Sequence, residues 1–186
     1  MTENYKQYAG KIKVWKLFKN SKELHEEKDN LIVYTAADAM AKVLSGDSSY
    51  KISGMYLDFK NLVSSGDPVP TITPTLSTKA IDVRSVSSPS DIMRFSLISS
   101  PSFDTSDSSK YNNNQVTFFG ATSGSVGYNG RSFSSSSNSA AYGASLVVMP
   151  DFNTASEDIL FARVALSKLL VVTGMRIGIE WQINFG

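Results

Sequence analysis

The chain contains no cysteine, one histidine and two tryptophans among 186 residues. Without cysteine there can be no disulfide, no thiolate metal site and no sulfur nucleophile. The formal net charge is only +1, so the basic excess that drives phosphate-backbone binding is missing and no nucleic-acid partner is expected. Long apolar runs are missing too. "LIVY" from Leu31 and "LLVV" from Leu169 fall far short of the roughly 20 residues a membrane helix needs. The N-terminal "MTENYKQYAG" is polar and carries no signal-peptide pattern. These features lead us to expect a protein made in the cytoplasm, with no membrane partner.

What is abundant is serine. There are thirty, concentrated between Ser85 and Ser145. Serine, asparagine and glycine favour turns over helix, so the stretch at about 99–143 reads as long Ser/Gly/Asn-rich loops on a β framework. The length suits one domain able to bury its own core. We expect an N-terminal arm over 1–10 and a single domain over 11–186.

Alternation supplies the framework. In "KIKVWKLFK" (Lys11–Lys19), Ile12, Val14 and Phe18 can share one face while Trp15 and Leu17 take the other. Apolar residues on both faces suggest packing against a neighbour; a lysine-edged strand guarded by its charges is the plainer alternative. "NSKELHEEKDN" reads as a charged turn or solvated helical turn. "TAADAMAKVLSG" predicts a helix near residues 35–45, with Thr35 as cap, Asp38 in support and Gly46 as a left-handed terminator. Met40, Val43 and Leu44 fall on one helical face. "YKISGMYLDF" predicts a strand with a bulge at Gly54, followed by a proline-punctuated loop from Asn61 to Pro74. Further strands are expected at "KAIDVRSV", "DIMRFSLI", "NQVTFF", "ASLVVM" and "EDILFARVAL". In "MRIGIEWQINF", Ile177, Ile179, Trp181, Ile183 and Phe185 point one way for five alternate positions, which marks a core face. About eight strands, short turns and one short helix give the expected fold: mainly β, an antiparallel sandwich, jelly-roll-like.

Motifs that carry chemistry are sparse. His25 stands in "KELHEEKD" without an evident pocket or orienting partner, which a general base needs; it reads as a surface histidine. Gly120–Arg131, "GATSGSVGYNGR", lacks the Lys-Ser/Thr ending of a P-loop, and no Gly-x-Gly-x-x-Gly is present. Asp104 and Asp107 in "SFDTSDSSKYNNN" do not follow calcium-loop spacing, so a plain turn is the simpler reading. No Gly-x-Ser-x-Gly occurs. We expect no catalytic residue, cofactor or metal, and leave a hydrolase as the weakest class.

Two segments resemble a known family. "DNLIVYTAADAMAKVLSGDSSYKISGMYLDF" places Asn30, Leu31 and Ile32 before a small-residue helix that ends at Leu44 and Gly46. A strand with Ile52 and Met55 then follows. This arrangement resembles a segment of tailed-bacteriophage virion proteins. The C-terminal "DILFARVALSKLLVVTGMRIGIEWQINF" is similar to endings of phage structural proteins in which a last strand completes a β-sandwich. The resemblance implies a non-enzymatic particle component: a capsid decoration (cement) protein, or part of the head fibre, neck or tail. It would be a homo-oligomer, a trimer by preference, docked on other virion proteins (major capsid, neck or tail) and located in the virion. Trp15, Phe18 and Tyr56 are the expected interface anchors. The alternative is a carbohydrate- or receptor-binding sandwich, with Tyr111, Tyr128, Phe133 and Tyr142 in the loop-rich middle as ring platforms and Tyr128, Phe133 and Tyr142 as the candidate ligand loop.

Overall fold

The computed structural model describes residues 9–61, 66, 68, 73–86, 92–98, 102–103, 115–122, 139–151, 153–171 and 175–184. The protein is mainly β. Nine strands run in the order β1 (Ala9–Leu17), β2 (Lys22–Ile32), β3 (Ile52–Asn61), β4 (Ile92–Ser96), β5 (Ser102–Phe103), β6 (Gln115–Ala121), β7 (Ser139–Val148), β8 (Ile159–Val171) and β9 (Arg176–Asn184). Helix α1 (Thr35–Leu44) joins β2 to β3, and helix α2 (Ala80–Val86) lies between β3 and β4.

All pairings are antiparallel, in the spatial order β4-β3-β7-β8-β2-β1-β9-β6-β5. The two ends approach each other. Leu97, just past β4, bridges Gly120 of β6, and the Ile98 N–H donates to the Phe119 carbonyl at 3.0 Å. The sheet is therefore a ring of eight strands nearly closed into a barrel, with the two-residue β5 attached to β6. This is compatible with the sandwich expected from the sequence.

The ring encloses the main core. Ile12 and Val14 of β1, Met55 and Leu57 of β3, Leu146 of β7 and Trp181 and Ile183 of β9 are fully buried within it. The predicted alternation in β9 holds across Ile177, Ile179, Trp181 and Ile183; Phe185 lies outside the described residues. A second, smaller core forms on the outside of the β4-β3-β7-β8 half. There Ala80 and Val83 of α2 cover Tyr56, Ile92, Val147, Met149 and Leu160. That half is covered on both faces, and every residue of β7 is buried.

Several expectations change. The segment read as a charged turn is strand β2, whose backbone pairs with β1 from Lys22 to Asn30. Its pairing, not an apolar period, makes it a strand. "KAIDVRSV" is helix α2. Ala80 and Val83 share a face at i, i+3 spacing, and the Asp82 carboxylate accepts the Lys79 N–H at 2.8 Å in the first turn. Thr35 does not cap α1, because its hydroxyl donates to the Leu160 carbonyl at 2.6 Å. Gly46 does end the helix, with φ +95°, in a Schellman pattern: Gly46 N–H to the Val43 carbonyl and Asp47 N–H to that of Lys42. Only Met40 of the predicted apolar face packs on the core, while Val43 is exposed and Leu44 is 87% exposed. The irregularity expected at Gly54 is present, as the β3–β7 register shifts between Ile52 and Gly54. Strand β7 begins at Ser139, so the loop region is shorter than the sequence suggests.

Candidate docking face

Three sets of polar or amphipathic residues are brought together by the fold. The first lies outside the β4-β3-β7-β8 half. Residues opposed across an antiparallel ladder point to one face, and the register aligns Arg94, Tyr56, Ser145 and Arg163 on four adjacent strands. Arg94 donates to both oxygens of Asp158 at 2.7 Å, and the Tyr56 hydroxyl donates to the same carboxylate. Burial would lower the Arg94 pKa, but the Asp158 carboxylate outweighs it and holds the guanidinium raised. Arg163 pairs with Asp58, both at 0% exposure, and donates to Ser145 Oγ at 2.8 Å. Gly143 leaves space for this pair: a Cβ there would collide with the Asp58 carboxylate. The charges are enclosed and directed at each other, so the arrangement is structural.

The second set is the seam between β2 and β8. These strands share only the pairs Leu31–Arg163 and Ile32–Ala162. Below them β2 turns Asn30, Lys28 and Glu26 inward, opposite Gly10, Ile12 and Val14. Inward charges cannot join an apolar core, and they also guard a strand edge against foreign pairing. Here they reach across to an irregular stretch of β8, where Leu166–Lys168 form no ladder pairs with β7. Glu26 accepts the Ser167 N–H at 2.8 Å and its hydroxyl at 2.9 Å. Lys28 donates to the Ala165 carbonyl at 3.1 Å, and His25 Nε2 lies 3.3 Å from the Ser167 carbonyl. Partial burial raises the Glu26 pKa, yet Lys28 and Ser167 together hold it below the ordinary glutamate range. His25, partly exposed at the surface as expected, thus also reaches from β2 to β8.

The third set is the outer face of β6-β9-β1-β2. Four rows cross it. Thr117, Gln182, Lys11 and Asp29 form one; Phe119, Glu180, Lys13 and Glu27 the next; Ala121, Gly178, Trp15 and Leu24 the third; Arg176, Leu17 and Lys22 the last. Trp15, Leu17 and Phe119 are half-buried and Leu24 is 43% exposed. The Lys22 ammonium lies 3.6 Å from the Trp15 ring centre, a cation–π contact. Lys11 pairs with Glu27 at 3.1 Å and Lys13 with Glu180 at 3.8 Å. The apolar patch within a charged border is the anatomy of a docking surface.

Of the anchors named from the sequence, Trp15 is at the centre of this face. Phe18, in the β1–β2 turn, packs onto the main core. Tyr56 is fully buried and committed to Asp158, so it is an internal residue and not an anchor. Tyr142 is in β7, 4% exposed, and not in a loop. Tyr111, Tyr128, Phe133, Asp104 and Asp107 lie outside the described residues, as do positions 123–131 of the glycine segment. Gly120 is part of β6, where a Cβ would come within 2.7 Å of Met55 Sδ. Among the described residues, no group of three or more His, Asp or Glu side chains could hold a metal ion, and no helix is long and apolar enough to cross a membrane.

No family model, no curated protein and no solved structure matches the chain.

Proposed function

We propose that this chain is a non-enzymatic structural component of a bacteriophage particle, docked on other virion proteins of the capsid, neck or tail as a homo-oligomer. The outer face of β6-β9-β1-β2 carries the docking part of this reading. It presents Trp15, Leu17, Phe119 and Leu24 among paired charges, whereas the described ion pairs on the outside of the opposite half are enclosed within the chain. The particle part is supported by the two sequence segments that resemble virion proteins. In this reading the chain acts by buried interface, needs no cofactor and performs no turnover. Aromatic anchors such as Trp15 contribute most of the binding and the charged border sets orientation.

The test is assembly. Virions from the source phage should contain the chain, and particles lacking it should bind the purified protein and gain resistance to heat. Trp15→Ala should weaken that binding by tenfold or more. A folded protein that binds no capsid, neck or tail component would refute the reading. The carbohydrate alternative has no comparable support, since Tyr142 is internal and Tyr128 and Phe133 lie outside the described residues.

A further inference from the structure

We infer that the outer face of β6-β9-β1-β2 is self-complementary and pairs with a second copy of the chain about a two-fold axis. The ladder register carries this inference. The apolar row Ala121–Gly178–Trp15–Leu24 runs across the four strands. One step to one side on the same face, β9 and β2 carry Glu180 and Glu27; one step to the other side they carry Arg176 and Lys22. A two-fold axis lying along the apolar row exchanges the two sides while keeping each strand over its own copy. Glu180 then faces the second copy's Arg176, Glu27 its Lys22, and Trp15 and Leu24 face themselves. Each ion pair occurs twice, as an isologous contact requires. Lys13, which already serves Glu180 at 3.8 Å, faces Leu17 and lets its stem lie on that side chain. Gly178 adds no bulk to the row: a Cβ there would press into Leu17 at 2.8 Å.

The partner is a second copy because the charges match no simpler class. The face carries both signs, so neither an anionic surface nor a basic peptide suits it, whereas its own two-fold image sets the two acids flanking the apolar row, Glu180 and Glu27, against the two bases on its other side, Arg176 and Lys22. A three-fold arrangement would place this face against a different surface, so the symmetry inferred here replaces the trimer that the resemblance implied. The inference rests on the docking reading of this same face and names a second copy as its occupant; a chain that dimerises yet binds no particle component fails the particle role alone, and a monomer that binds particles fails this inference alone.

Sedimentation of the full chain over a concentration series tests it, alongside single and double charge reversals. We expect a monomer–dimer equilibrium. Arg176→Glu and Glu180→Arg should each raise the dimer dissociation constant at least tenfold, and the double variant should recover most of the loss. Within one chain these residues lie four positions apart on a strand, about 13 Å, so recovery reports the intermolecular pair. A second arm uses the absence of cysteine. Leu24→Cys should cross-link to a dimer with a short bismaleimide that spans the roughly 10 Å between packed sheets, while Leu170→Cys on β8 should not. Thermal melts confirm that each variant folds. A monomer at every concentration, a trimer mass, a double variant no better than the singles, or equal cross-linking at the two cysteine positions would each overturn the inference.

Discussion

The two halves of the ring use one backbone ladder and solve different problems with it. The β4-β3-β7-β8 half is covered on both sides, so β7 reads "SAAYGASLVV" without alternation and every residue is buried. Its buried charges, among the described residues, are the enclosed pairs Arg94–Asp158 and Arg163–Asp58. The β6-β9-β1-β2 half has one covered side, so β9 alternates between core and outside except at Gly178, which is covered by Leu17, and its outer charges form exposed or half-exposed pairs. A buried charge in the first half is part of the architecture, while a charge on the outer face of the second half stays in reach of solvent.

The largest effects should therefore come from cutting one member of an enclosed pair. Arg163→Met leaves the Asp58 carboxylate buried beside Ser145 without its cation, and should cost about 3–5 kcal/mol. Replacing both members with apolar residues should recover much of that loss, because the cost lies in the unpaired charge. Urea midpoints of the single and double variants measure the contrast, and equal losses would break it. On the other half the comparable effect is apolar. Trp181 is fully buried in the main core, and Trp181→Ala should cost about 3–5 kcal/mol by transfer and cavity formation. An unmoved midpoint would mean that the ring interior does not carry the fold.

That contrast also explains what could be read from the residues alone. Strands β1 and β9 were legible because one-sided burial writes a period of two, and α1 because Gly46 ends a run of good helix formers. Strand β2 was not legible: its inner side is polar where it leaves β8, so no apolar period survives. Helix α2 was missed because Ile81 and Val83 fit a strand as readily as Ala80 and Val83 fit a helix. The face proposed for docking was half visible, through Trp15 and Leu17 on the second side of β1. Tyr56 failed as an anchor because its partner, Asp158, is 102 residues away, beyond any local pattern. One signal was available: a lone arginine inside an otherwise apolar strand, as in "IMRFS" and "LFARVAL", implies a buried carboxylate partner.

A smaller loss should follow from crowding the enclosed pair without cutting it. Gly143→Ala places a methyl against the Asp58 carboxylate while Arg163 holds that carboxylate in place, and should cost about 1–3 kcal/mol. The same change at an exposed, unpaired position should be close to neutral. A cost at Gly143 that persists when Asp58 and Arg163 are both made apolar would show that the pair is not what the methyl meets.

The seam joining the halves should give about 1 kcal/mol, and it should depend on pH. Glu26 is held below its ordinary range in the folded chain, so folding favours its carboxylate. The resulting stability is present above the ordinary glutamate range and is lost as pH falls through the lowered folded value. Glu26→Gln should thus be less stable than the parent at neutral pH, and the difference should vanish in acid. A difference that grows on acidification would reverse the assignment.

The smallest effect should be at the open face itself. Lys11 and Glu27 meet at 3.1 Å with both side chains more than a third exposed. Solvent screening and side-chain entropy leave such a pair about 0.2–1 kcal/mol. Lys11→Ala should scarcely move the midpoint in dilute protein, and the small shift should shrink further in 1 M salt, where the screening length is about 3 Å. Arg163→Met in the same salt should keep its full cost, because the Asp58 carboxylate it leaves unpaired is fully buried and out of reach of ions. A salt response shared equally by the two variants would erase the distinction between enclosed and open charge on which the assignment of the docking face rests.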